Sequence, residues 1–116
     1  MYKVSLDNFE GPMDLLLYFI RRDEIDIYDI PISTITKEFI DTIEAWTQLK
    51  MYVAGEFIVM ASSLMRIKAK MLLPRPELDE GGIIIDPRTE LMQQLIEYKR
   101  FKDAAAMLSA LADNRS

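Results

Sequence analysis

Four acids, Asp23, Glu24, Asp26 and Asp29, form the densest group of side chains able to do chemistry, since a hard divalent cation is held by several carboxylate oxygens at once. They alternate with Ile25, Ile27 and Ile30 in the run DEIDIYDIPI, which reads better as the wet side of a turn pinned by isoleucines. A basic group, Arg66, Lys68, Lys70 and Arg75, has the charge to meet phosphates or an acidic partner. The same residues also suit the negative end of a helix dipole. The chain has no cysteine and no histidine, which removes disulfides, thiolate and imidazole metal sites, cysteine nucleophiles and histidine bases. Its serines and threonines have no imidazole to activate them, and Gly81-Gly82 lacks the lysine and following helix of a phosphate-cradling loop. The expectation is a non-enzymatic protein with no cofactor and no metal.

With 116 residues the chain is long enough for one domain, or one domain and an arm, and half its residues are apolar. A formal charge of −5 argues for a protein partner rather than a direct grip on nucleic acid. The longest apolar run, residues 15–20, is far short of a membrane span, and the start of the chain lacks the basic and apolar regions of a signal peptide. A soluble, cytoplasmic protein without a membrane partner is expected.

Side chains that could dock a partner must be carried by helices, because the periodicity is helical almost throughout. Residues 2–6 alternate weakly and suggest a short extended segment or edge strand. Gly11-Pro12 opens a first helix, with proline at a position whose N–H has no partner in any case, and it runs to about Arg22. Its LLLYFI centre is apolar on every side and belongs in the middle of a core. A second helix begins near Ser33 and ends before Leu49, with Ile32, Ile35, Phe39, Ile43 and Trp46 on one face. A third is expected over residues 51–73, about 35 Å long at 1.5 Å per residue, ending where the PRP triplet starts.

This third helix carries more apolar surface than one docking requires. Val53, Phe57, Met60, Leu64, Ile67 and Met71 recur with heptad spacing; beside them lie Ile58, Met65 and Leu72, then the small residues Gly55, Ser62 and Ala69. Phe57, Met60, Leu64 and Ile67 of the large column are assigned to the chain's own core. Gly55, Ile58, Ser62, Met65, Ala69 and Leu72, with Arg66 at the edge, are assigned to a partner helix, because small residues permit close approach and the apolar ones supply area. Met51, Met60, Met65 and Met71 read as core filler or as an adaptable partner surface.

Residues 74–86, PRPELDEGGIIID, read as a linker with a flexible Gly81-Gly82 and a short apolar clip. A domain boundary is placed there, giving a helical domain at 1–73, a linker at 74–86 and a fourth helix over 87–116 that starts at Asp86-Pro87. Leu91, Leu95, Tyr98, Ala105, Leu108 and Ala112, flanked by Phe101, mark one apolar stripe with no evident mate in the chain. The fold class expected is all-α.

Three stretches carry a family likeness: FEGPMDLLLYFIRRDEIDIYDIPISTITKEF at 9–39, AGEFIVMASSLMRIKAKMLLP at 54–74 and DPRTELMQQLIEYKRFKDAA at 86–105. Together they resemble the N-terminal half of the ScpA kleisins, the subunits that join Smc and ScpB in the bacterial condensin. The resemblance implies a bridging role in chromosome condensation and segregation, in the cytoplasm at the nucleoid, with DNA met only through the complex. It implies that the N-terminal helical domain binds the coiled-coil neck of Smc and that the segment from Asp86 is held by an ScpB dimer. The family's C-terminal winged-helix domain is not expected within these residues. Leu91, Leu95, Tyr98, Phe101, Ala105 and Leu108 are accordingly assigned to ScpB. Two other classes stay open: a self-associating helical protein, and a small nucleic-acid module using residues 66–75.

Overall fold

A computed structural model describes residues 8–114, and the extended segment expected at 2–6 lies outside them. The fold is all-α, with α1 at Pro12–Arg22, α2 at Ile32–Gln48, α3 at Gly55–Met71 and α4 at Thr89–Asn114. α1 is the central element and touches each of the other three. Pro12 opens it, and the Asp14 carboxylate accepts the Glu10 N–H at 3.2 Å, so an otherwise orphaned donor near the helix start is satisfied. Leu15, Leu16, Leu17, Phe19 and Ile20 are all buried, the packing expected of a helix apolar all round.

α1 and α2 end in the same way. Beyond α1, Glu24 adopts a left-handed φ of 53°, and the Ile25 N–H returns to the Ile20 carbonyl at 2.9 Å. Beyond α2, Lys50 adopts φ 60°, and the Met51 N–H returns to the Trp46 carbonyl at 3.0 Å. Both are Schellman closures with an ordinary residue in the position glycine favours. The second closure corrects the third helix: residues 51–54 are not helical, and α3 starts at Gly55. Its 17 residues span about 25 Å rather than 35. Met51 and Val53 still pack against the core, as coil.

The core is one cluster. Ile32, Ile35, Phe39, Ile43 and Trp46 of α2 meet Phe57 and Leu64 of α3, with Trp46 edge-on to Phe57 at 5.6 Å. Met60 and Ile67 border it, so the large column of α3 faces inward as expected. Thr36 is also buried, and its hydroxyl has no hydrogen-bond partner among the described residues. An unmet buried hydroxyl is costly, so Thr36→Val, which keeps the shape and removes the polar atom, should raise stability by about 1 kcal/mol in chemical denaturation. A lower midpoint would show that the hydroxyl is satisfied in solution.

The fourth helix needs two corrections. Its first turns are not without a mate: Leu91 and Leu95 are buried in the same core as α1–α3, at 5% and 0% exposure. A helix crossing a core formed by Leu16, Phe19 and Ile20 must turn its own leucines inward, which removes these two from any partner face. The segment before it is a small hairpin rather than a loose linker. Leu78 pairs with Ile84, and the Asp79 carboxylate accepts the N–H groups of Gly81 and Ile83, each at 2.9 Å. Gly82 supplies the positive φ of 77° that this turn requires.

Candidate partner-docking surfaces

Arg88 fixes where α4 begins. Its guanidinium donates to both Asp86 oxygens, to Asp29 at 3.0 Å and to the Ile30 carbonyl at 2.7 Å, so it joins the α1–α2 turn to the last helix. The Asp86 carboxylate also accepts the Arg88 N–H at 2.9 Å. These bonds from Arg88 hold the Asp86 carboxyl below its ordinary value of 3.8. The acids read at the sequence level as a turn serve as one: Asp29 meets Arg88, Asp23 meets Arg22, and Asp26 accepts the Tyr28 N–H.

A stability consequence follows from Asp86. A depressed carboxyl contributes stability that is fully present above the unfolded value of 3.8 and is lost as pH falls through the lower folded value. Arg88→Met should cost about 2 kcal/mol near neutral pH, because a guanidinium with a 14% exposed side chain loses four charge-assisted bonds. It should also flatten the decline in stability below pH 4. A variant whose acid transition matches the parent would place the acid-sensitive contact elsewhere.

Farther along α4, the contacts with α1 become polar. Lys102 lies 3.4 Å from Asp14, and Asp103 pairs with Arg21 at 2.9 Å. Burial of the ring, followed by the Asp14 carboxylate beside it, pushes the Tyr98 hydroxyl up to about 12, so it stays neutral at physiological pH. Beyond these contacts the helix leaves the core. Phe101, Met107, Leu108 and Leu111 are 61%, 68%, 67% and 54% exposed.

The apolar positions of α4 form two stripes instead of one. Leu91, Leu95 and Tyr98 look inward, while Ala105, Phe101, Leu108, Ala104 and Leu111 lie progressively farther round the axis, from about 50° to about 170° away at 3.6 residues per turn. Of the six residues assigned to one partner face, Phe101, Ala105 and Leu108 are exposed, Tyr98 is half-buried, and Leu91 and Leu95 are inward.

α3 carries the other surface. Gly55, Ile58, Ser62, Met65, Arg66, Ala69 and Leu72 are all exposed, with Ile58, Met65 and Leu72 at 51%, 55% and 68%. Val59 is 69% exposed, so a second outward column accompanies the first. Met65, Ala69 and Leu72 join α2 residues along a groove of about 680 Å³, whose other wall includes Ser33, Lys37 and Ile40. Gly55, Ile58 and Ser62 lie farther toward the start of α3, outside the groove lining. The α2 wall was missed in the sequence, although Ile40 gives a signal: it is a large apolar residue off the Ile35, Phe39 and Ile43 stripe. The groove and the α4 tip leave apolar side chains exposed, and among the described residues no helix is long and apolar enough to cross a membrane.

Comparison with known proteins fits this architecture. The family model for segregation and condensation protein ScpA matches residues 19–116. Segregation and condensation protein A of Oceanobacillus iheyensis is 50% identical over 110 residues, covering 92% of this chain and 44% of that protein. Its counterparts in Brevibacillus brevis and Bacillus cytotoxicus are each 47% identical, covering 99% of this chain and 48% of theirs. The chain belongs to the ScpA family. It spans about half the length of the curated relatives it matches.

Proposed function

We propose that this chain is the N-terminal part of a kleisin that bridges Smc and ScpB without catalysing a reaction. In this reading the outward face of α3, with the α2 groove beside it, receives the coiled-coil neck of Smc as an added helix. The distal half of α4 is the part that an ScpB dimer holds, and DNA is engaged only through the assembled complex, in the cytoplasm at the nucleoid.

One observation carries the proposal. α3 is packed on its own core through Phe57 and Leu64, yet keeps Ile58, Val59, Met65 and Leu72 in solvent. Such a large apolar surface on a charged protein is the mark of a contact site. Family membership supports the choice of partners. The relatives are segregation and condensation proteins, a name that describes a process and not its contacts.

The test is titration of the full chain with an Smc head-and-neck fragment and, separately, with ScpB, by calorimetry. Saturable binding to each is expected. Light scattering of the chain alone distinguishes the competing arrangement, in which Phe101, Leu108 and Leu111 cover each other between two copies. A stable dimer that binds neither protein would overturn the bridging reading.

A further inference from the structure

The α2–α3 groove holds one cation that is not paired within it. Its N-terminal α2 wall lies against the C-terminal turns of α3, while Trp46 near the end of α2 meets Phe57 near the start of α3 at 5.6 Å, so the two helices run antiparallel. Lys68 lines the groove half-buried, and among the described residues no carboxylate lies within ion-pair distance of it. The neighbouring cation Lys37 is already held by Asp41 at 2.7 Å. Asp41 lines the groove as well, so that pair adds no net charge to it. Around Lys68 the lining has apolar surface from Ile40, Met65 and Leu72.

We propose that the occupant of this groove is an amphipathic helix bearing a carboxylate that pairs with Lys68. The proposal rests on the reading of the groove as the neck-docking site and adds the charge of what docks there. A helix covering Met65 and Leu72 also takes the Lys68 ammonium out of water. Without an acid from the partner that charge is buried unpaired, which disfavours any purely apolar occupant. Nucleic acid fits less well, because a phosphate backbone has nothing to place on the apolar lining around Lys68.

The test uses the full chain and an Smc head-and-neck fragment, titrated by calorimetry at low and high salt. Binding should weaken as salt rises. Lys68→Glu should lose roughly tenfold or more in affinity and Lys68→Gln less, with unchanged thermal melts. A lysine substituted for one acid on the docked neck helix should then restore binding to Lys68→Glu. Parent binding that is insensitive to salt and to Lys68→Glu overturns the charge proposal and leaves the docking reading intact. No binding by the parent chain overturns both. Parent binding to a DNA duplex that Lys68→Glu abolishes, with neck binding unchanged, assigns the lysine to phosphates and also overturns it.

Discussion

Leu95→Asp should abolish the cooperative fold of the whole chain, while Leu111→Asp, in the same helix, should leave the melting curve where it was. Leu95 is fully buried in the cluster that joins α1, α2 and α3, so aspartate there forfeits about 1.5 to 3 kcal/mol of apolar burial and adds several more for a charge without a partner. That sum is comparable to the entire stability of a typical small domain. Leu111 is 54% exposed on the projecting half of α4, where a polar substitution stays within about 0.5 kcal/mol. Phe57→Asp and Leu16→Asp should behave like Leu95→Asp, since both positions are buried. Thermal circular dichroism reads all four. A Leu95→Asp protein that melts with the parent would mean that α4 is dispensable to the core, and cutting the chain between α3 and α4 would then be harmless.

That comparison also marks where the sequence was readable. α1 and α2 were placed almost to the residue because local signals agree: Pro12 at a helix start, and one apolar stripe from Ile32 to Trp46. α3 was drawn too long because Met51 and Val53 continue its apolar spacing, and because the stop before it is made by Lys50 in a left-handed conformation that no glycine announces. α4 was read as one stripe because leucine and alanine positions run on without a break. Only packing against α1 shows that the first turns are inward and that the rest has rotated away. Arg88 could not be found at all, since its partners Asp29 and Ile30 lie 59 and 58 residues earlier.

On the outward face of α3 the period alone was informative. The split of α3 into an inward large column and an outward flank needed only the helical period and the choice of Phe57 and Leu64 as the buried side. The groove required knowledge of which helix lies alongside. Ile40 and Lys68 meet there because α2 and α3 run antiparallel, a relation that neither helix states alone.

The double substitution Ile58→Lys with Met65→Lys should remove binding to the Smc neck while sparing the fold. The two side chains are 51% and 55% exposed in the free chain, so lysines there stay hydrated, and the expected loss of folding stability is about 0.5 kcal/mol or less at each. In a complex the same positions would face a packed helix. Burying two ammonium groups without partners should cost about 3 kcal/mol or more, which is over a hundredfold in affinity. Calorimetry against the head-and-neck fragment measures the binding, and melts of the same samples control for folding. Normal neck binding by the double variant would exclude this column and turn attention to the one marked by Val59, which is 69% exposed. Equal losses of folding and binding would instead show that Ile58 and Met65 support the core, because a residue that acts only on the partner cannot lower the melting point of the free chain.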